Sequence, residues 1–115
     1  MGRVLLASMS GADLDKYFER AEIEKLTSKT VTNERELRAI IKKVKEQGYS
    51  IVSEELEDGV QSVSMPIHSK DERVLAAANV SAHSSRVSKG DLRAKLLPKL
   101  GRCVSEIEKD LSLQN

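Results

Sequence analysis

Two alternating runs joined by a short polar connection decide the fold of this chain: VQSVSMPI (residues 60–67), HSKDE (68–72) and RVLAAANVSA (73–82). Successive side chains point to opposite faces of a strand, so each run predicts a β-strand with one apolar face and one face that carries small polar groups. The connection of about five residues predicts an antiparallel hairpin, because a parallel crossover needs a dozen residues or more.

The segment before this hairpin predicts one more strand and a long helix. Residues 49–52 form a short β-type run, and Asp58-Gly59 is a turn signal between that run and the next strand. Residues 33–47 predict a helix, because Asn33 and Glu36 form a capping box and Gly48 stands just past the end. Its apolar side chains recur at helical spacing: Leu37, Ile40, Ile41 and Val44.

The two ends of the chain predict further helices. Ser10 with Asp13 signals a helix start, and Leu14, Tyr17 and Phe18 share the face of a helix that ends near Arg20. Ser88 caps a last helix from Lys89, whose apolar stripe is Leu92, Leu96, Leu100, Val104, Ile107 and Leu111. Pro98 predicts a kink or a brief break in it. Residues 3–9 fit a buried strand or a buried helix equally well. The predicted class is α+β, an antiparallel sheet flanked by helices.

Composition excludes several classes of function. The net charge is +1 and the charges are interspersed along the chain, which does not predict the clustered basic surface that phosphate contacts need. Cys103 is the only cysteine, so no internal disulfide is expected, and a lone buried thiol is common in a reducing compartment. The longest apolar run, residues 4–7, is too short for a membrane span, and a cytoplasmic location is the default.

Catalytic and metal-binding patterns are absent from the sequence. His68 and His83 both stand in polar, serine-rich surroundings typical of loops or strand ends, with no zinc spacing and no triad context. An acidic cluster lacks calcium-loop spacing and is typical of a solvated surface beside a turn: Glu54, Glu55, Glu57 and Asp58. We therefore expect neither an enzyme nor a bound cofactor.

The neighbouring strands offer small polar groups on one side: Ser62, Ser64, Asn79 and Ser81. Small side chains leave room, and hydroxyl and amide groups both donate and accept hydrogen bonds. Apolar walls with a few fixed polar groups are typical of a pocket for a small carboxylate-bearing molecule. The same pattern also fits a sheet face turned to solvent, and the pattern alone does not decide between the two.

Three segments resemble the effector-binding domain of IclR-type transcriptional regulators. Residues 1–7 (MGRVLLA) resemble the entry to that domain's long helix, and residues 47–59 (QGYSIVSEELEDG) resemble its QGYA-DEELE-G stretch. Residues 60–67, followed by NVSAHSSRV at 79–87, are similar to the subgroup that regulates protocatechuate, 4-hydroxybenzoate and β-ketoadipate pathways.

The resemblance implies a GAF-like domain that binds a small organic acid against its sheet. By position it implies that Val60, Ser62, Asn79 and Ser81 contact the ligand. It also implies that residues 3–8 form a helix. Asn79→Ala is then expected to weaken ligand binding about tenfold and to leave the fold intact. Two positions depart from the family: Ser53 stands where Asp is frequent, and Gln61 stands where Arg is usual.

The resemblance also predicts a partial domain over residues 1–115. The DNA-binding helix-turn-helix and the first strands of the effector domain are expected to be absent, so DNA is contacted only through that missing domain. An unpaired sheet edge and an amphipathic last helix predict a homodimer or larger assembly. The competing interpretation is a structural or oligomerisation module that binds no ligand.

Overall fold

Helices, then strands, then a helix follow one another along the chain, as the sequence predicts. The structure is a computed structural model that describes residues 1–21, 25–55 and 57–113. Its helices are α1 (Gly2–Ala7), α2 (Gly11–Arg20), α3 (Glu34–Gln47), α4 (Lys89–Asp91) and α5 (Leu97–Leu113), and its strands are β1 (Ser50–Ser53), β2 (Val60–His68) and β3 (Val74–His83). The predicted α+β class is confirmed, and so is the helix implied for residues 3–8.

The three strands form one antiparallel sheet in the order β1-β2-β3. The predicted strands are confirmed, with ends that differ by one residue. His68 was placed in the connection and lies instead at the end of β2. Its backbone N–H donates to the Glu108 carboxylate at 2.7 Å, which holds the extended backbone one residue longer, past an irregularity in the register at Ile67/His68.

Local capping signals place the helix ends correctly. The hydroxyl of Ser10 accepts from the Asp13 N–H, the Asn33 side chain accepts from Glu36, and Ser88 accepts from Asp91. Gly48 ends α3 with φ 84°, a left-handed conformation that glycine adopts without a side-chain clash. These groups lie within four residues of their partners, so the sequence alone determines them.

The last helix accommodates Pro98 through a widened turn. A π-type turn over Leu92–Leu96 joins α4 to α5, and Pro98 is the second residue of α5. Proline lacks an N–H and crowds the carbonyl four residues earlier, and the wider turn directly before it relieves both problems. The predicted irregularity therefore lies just ahead of Pro98, and the helix continues beyond it.

Two apolar clusters cover the two faces of the sheet. On one face, β2 packs on the last helix through Val63, Ile67, Leu92, Leu100 and Val104, all buried. On the other, α1, α2 and α3 pack together and reach the sheet at Ala77. One interpretation is wrong here: the Cys103 thiol is exposed and not buried. Tyr17, on the face that it shares with Phe18, is 39% exposed and rests edge-on against that buried ring.

Candidate functional site

Strand register brings the predicted polar side chains together on one face of the sheet. Ser64 lies directly opposite Asn79, and Ser62 directly opposite Ser81. Residues opposite one another in an antiparallel pair point to the same face, so these four form one group, here called the serine–asparagine patch. Val60 is on the same face, half-buried and opposite His83, one step beyond the patch.

A chain of hydrogen bonds runs through the serine–asparagine patch. The Ser64 hydroxyl donates to the Asn79 side-chain carbonyl at 2.8 Å, and the Asn79 amide donates to the Ser81 hydroxyl oxygen at 2.9 Å. Ser81 accepts in this arrangement, so its own O–H remains free to donate. Within the described residues the Ser62 hydroxyl makes no hydrogen bond. Two hydroxyl donors therefore face each other across β2 and β3.

Burial changes from one end of the patch to the other. Ser64 is 1% exposed, whereas Asn79 and Ser81 are exposed. The reason is that α1–α3 cover this face only near Ala77 and leave the Ser81 end open. The patch is therefore open to solvent at its Asn79–Ser81 end and buried at Ser64.

Gln61 has a structural role on the opposite face. It is 2% exposed, and its side-chain amide donates to the carbonyl of Val87. This bond fastens β2 to the segment that leads into the last helix. The departure from the arginine usual in the family therefore concerns packing between β2 and that segment, since Gln61 points away from the patch.

An apolar cavity of about 310 Å³ adjoins the patch through β1. Val52 lines it and lies directly opposite Ser62, so Val52, Ser62 and Ser81 form one row across the sheet. Its other apolar walls come from all three N-terminal helices and include Leu6, Phe18, Leu37 and Ile41. A volume near 300 Å³ is at the lower end for small-molecule sites.

A larger cavity, of about 760 Å³, opens at the far end of the sheet. It lies between α1, the end of α3 and α5, and charged side chains line much of it: Lys45, His68, Glu72, Arg73 and Glu108. None of the patch residues lines it. Its size exceeds that of the cavity beside Val52, but the small polar groups that the sequence singles out are elsewhere.

Arg3 and Glu55 form a half-buried ion pair in the wall of the cavity beside Val52. A second hydrogen bond fixes the same carboxylate oxygen, because the Val31 N–H also donates to Glu55 Oε1, at 3.1 Å. The hydroxyl of Thr30 donates to the Glu55 carbonyl. These bonds tie α1 and the segment before α3 to the end of β1. Arg3 was not identified from the sequence as a residue of the site.

Glu54 and Glu55 have structural partners, which corrects the expectation of a solvated acidic cluster for these two residues, whereas Glu57 and Asp58 are exposed as expected. Glu54 accepts from the Lys29 ammonium group and, at 2.9 Å, from the Gly59 N–H. The hydrogen bond from Lys29 and then that from Gly59 lower the pKa of the Glu54 carboxyl. Leu56, within the stretch that resembles the IclR motif, lies outside the described residues.

Ser50 extends the row of Ser64 and Asn79 onto β1, and it was not identified from the sequence either. It pairs with Ser64, is 1% exposed, and its hydroxyl has no hydrogen-bond partner among the described residues. The signal was available, because Ser50 is a small polar residue inside an apolar run, as Ser62 and Ser64 are.

The histidines sit at strand ends, as expected. His68 contacts the Glu108 carboxylate through Nδ1 at 2.9 Å, and His83 contacts the Ser85 hydroxyl two residues on. Across residues 1–21, 25–55 and 57–113 no cluster of three acidic, histidine or cysteine side chains could hold a metal ion. No helix in the same ranges is long and apolar enough to cross a membrane.

The fold and the site define a class of protein: a small α+β domain with helices packed on both faces of its sheet and a polar patch beside an apolar cavity on one of those faces, the architecture of a small-molecule-sensing module. The chain belongs to the IclR family, since residues 1–109 match the family described as Bacterial transcriptional regulator IclR C-terminal.

Comparison with known proteins agrees at the level of sequence and of fold. The chain is 42% identical over 98 residues to the Pca regulon regulatory protein of Pseudomonas putida, a match that covers 85% of this chain and 34% of that protein. A crystal structure of a protein from Rhodococcus sp. RHA1, described as a transcriptional regulator, superposes with TM-score 0.97 at 39% identity and covers 100% of this chain and 47% of that one.

A third relative was crystallised with a ligand. The inducer-binding domain of the PobR transcription factor from Acinetobacter, a double mutant in complex with 3-hydroxybenzoic acid, superposes with TM-score 0.90 at 26% identity. The match covers 93% of this chain and 63% of that domain. The chain therefore spans about a third of the curated relative's length and just under two thirds of the isolated domain.

Proposed function

We propose that this chain senses a small aromatic or keto acid as the effector-binding domain of a bacterial transcription regulator. One observation carries the proposal: Ser62, Asn79 and Ser81 stand together on one face of the sheet, next to an apolar cavity. A relative of the same fold was crystallised with 3-hydroxybenzoic acid, which has the matching chemistry of an apolar ring and a carboxylate.

The proposed mode of binding follows from the free donors of the patch. The hydroxyl protons of Ser62 and Ser81 face each other and suit the two oxygens of one carboxylate, while the Asn79 amide supplies a further donor. The row from Ser81 through Ser62 to Val52 leads into the apolar cavity, where the ring or the carbon chain would be buried. Ser64 holds Asn79 in place from below, and Val60 borders the patch.

Isothermal titration calorimetry with four acids tests this function: 3-hydroxybenzoate, 4-hydroxybenzoate, protocatechuate and β-ketoadipate. We expect at least one to bind and Asn79→Asp to weaken it more than about tenfold, because a second carboxylate repels the ligand and Asp still accepts from Ser64. Asn33→Asp is the matched control, since it makes the same change at the α3 cap, where Asp also caps well.

The competing function is a structural module that senses nothing. Absence of binding by all four acids would favour that module. Equal affinity in the Asn79→Asp and wild-type chains would instead exclude the serine–asparagine patch as the binding site. Binding that survives Asn79→Asp but is lost when Leu37 or Ile41 is changed to a charged residue would move the ligand wholly into the cavity beside Val52.

We also propose that the chain self-associates through the outer edge of β3. Ser84 donates to the Gly59 carbonyl at 2.7 Å, so by strict alternation the backbone groups of Leu75, Ala77, Asn79 and Ser81 point away from β2. No charged residue or proline lies in β3 to block pairing. The last helix is the weaker candidate, because its apolar stripe already packs on the sheet.

The remaining proposals concern DNA binding, catalysis, cofactors and cellular location. We assign operator binding to a separate helix-turn-helix domain, because these residues match the C-terminal family alone. We assign no catalytic role, since His83 and Ser85 form a local turn contact in an exposed position. A cytoplasmic location fits a regulator of transcription, and the domain needs no cofactor for the proposed sensing.

A further inference from the structure

A third cavity, of about 310 Å³, lies along the free edge of β1, on the side of that strand away from β3. It is enclosed by α3, by β1 and by the start of the last helix. We call it the β1-edge cavity. It shares none of the residues of the serine–asparagine patch, and it borders the cavity beside Val52, with which it has Arg3 and Glu55 in common.

Cationic side chains dominate the lining of the β1-edge cavity. Five of its lining residues are basic and only Glu55 is acidic; the basic ones are Arg3, Lys29, Lys43, Lys89 and Arg93. Arg3 and Lys29 are paired with Glu55 and Glu54. For Lys43, Lys89 and Arg93, no carboxylate of the described residues lies within ion-pair distance. The chain carries a net charge of only +1, so this local excess of positive charge is a property of the fold.

A buried hydroxyl without a partner lines the same cavity. Ser50 is 1% exposed, and its oxygen makes no hydrogen bond within the described part of the chain. Buried polar groups in native proteins nearly always have a partner, and one that lacks it indicates an absent water, ion or ligand. This observation is independent of the basic residues and adds an unused hydrogen-bond donor in the wall of the same cavity.

Backbone donors of β1 face the edge where this cavity lies. Glu54 donates to the Val60 carbonyl at 2.8 Å, which makes Ser50–Ser64 a hydrogen-bonded pair in the alternating register. The N–H groups of Ile51 and Ser53 therefore point away from β2, and both residues line the cavity. Outward N–H groups of an edge strand are free to donate to an anion.

We propose that the β1-edge cavity binds a small polyanion, a metabolite that carries a phosphate group or several carboxylates. Lys43 on α3 and Lys89 and Arg93 on the last helix neutralise its charge, and Ser50 donates a hydrogen bond from the cavity wall. Because these cations come from the helical layers on the two faces of the sheet, a bound anion links the layers. The ligand is then of a different class from the aromatic or keto acid, because that acid carries an apolar ring or chain and the polyanion does not.

Calorimetry of the 115-residue chain in about 0.15 M NaCl tests the site with pyrophosphate and citrate as probes and acetate as the singly charged control. We expect both polyanions to bind at least about tenfold more tightly than acetate, because several charge-assisted hydrogen bonds act together. The combined change Lys43→Gln and Arg93→Gln should weaken the polyanions by about tenfold or more. The matched control, Lys99→Gln with Arg102→Gln, removes the same charges from exposed positions on α5 that do not line the cavity.

Ser50→Ala separates a ligand contact from a structural one. The hydroxyl has no partner in the chain, so its loss should weaken citrate about fivefold without lowering the urea midpoint of the free protein. Unchanged citrate affinity with a lowered midpoint would show that the hydroxyl serves the fold. Three results would each overturn the proposal. They are equal affinity for citrate and acetate, an equal loss of affinity in the Lys99–Arg102 control, and binding of duplex DNA in place of small anions. Unaltered binding of hydroxybenzoates in the Lys43–Arg93 variant would show that the two sites are separate.

Discussion

Asn79→Ala tests whether the polar chain on the sheet stabilises the fold as well as binding a ligand. The Asn79 carbonyl is the acceptor for the Ser64 hydroxyl, which is 1% exposed and has no access to water as a replacement. A buried donor left without its acceptor costs roughly 1–3 kcal/mol. The bond from Asn79 to Ser81 is exposed and adds at most about 0.5 kcal/mol, by the magnitudes usual for surface positions. Asn79→Ala is therefore expected to lower the free energy of unfolding while the chain still folds.

A double-mutant cycle isolates the Ser64–Asn79 hydrogen bond. Ser64→Ala removes the donor, and Asn79 is exposed enough for water to take its place, so this change should cost about 1 kcal/mol. Asn79→Ala made in the Ser64→Ala chain should then cost less than about 0.5 kcal/mol, a coupling of about 1 kcal/mol or more. Ser81→Ala, at the exposed end of the chain, is the control.

Urea unfolding followed by circular dichroism measures the cycle. A chain of this length is expected to have a free energy of unfolding of roughly 6–17 kcal/mol. With a slope of about 2 kcal/mol per molar urea, a loss of about 2 kcal/mol lowers the midpoint by about 1 M and leaves the slope unchanged. If Asn79→Ala costs the same with and without the Ser64 hydroxyl, the bond does not exist in solution and the reasoning is refuted.

Three further predictions concern the glycines, the pH and the sheet edge. Gly59→Ala should destabilise the chain more than Gly48→Ala, by about 1 kcal/mol in urea unfolding. Both glycines have a positive φ, but only at Gly59 would the new Cβ meet the His83 ring, at 2.6 Å. Equal losses in the two variants would contradict this contact. Glu54 has a lowered pKa in the fold, so its stabilisation is present above the ordinary value of 4.5 and is lost as the pH falls through the lowered value. Stability should therefore decrease below about pH 5, less steeply in Glu54→Gln, and identical pH profiles would refute this role. Sedimentation at micromolar concentration should show a dimer or larger species that Leu75→Lys on the β3 edge dissociates; a single species near 12.7 kDa at all concentrations would exclude self-association.

Local signals in the sequence predicted the elements well and their functional surroundings poorly. The caps at Ser10, Asn33 and Ser88 act over three residues, so the helix starts follow from the sequence alone. Tyr17 shows the limit: its spacing puts it on the same face of α2 as Phe18, yet Tyr17 is 39% exposed and Phe18 only 9%.

The candidate site was predicted only in part, because the sequence shows which face of a strand a residue lies on but not what covers that face. Alternation along β2 and β3 placed Ser62, Ser64, Asn79 and Ser81 on one face, and the register confirms that they meet. It could not show that Ser64 is buried while Asn79 and Ser81 are exposed, because that difference depends on where α1–α3 end over the sheet.

The sequence by itself determined the α+β class, the antiparallel hairpin and the polar face of the sheet, since these depend on periodicity and on contacts between near neighbours. Only the tertiary structure decided which distant groups converge. Arg3 and Glu55 are 52 residues apart and form an ion pair, and Lys43, Lys89 and Arg93 meet around one cavity although the charges are interspersed along the chain. The physical reason is that convergence depends on how helices pack across a sheet, and the spacing of residues within one element carries no information about its neighbours.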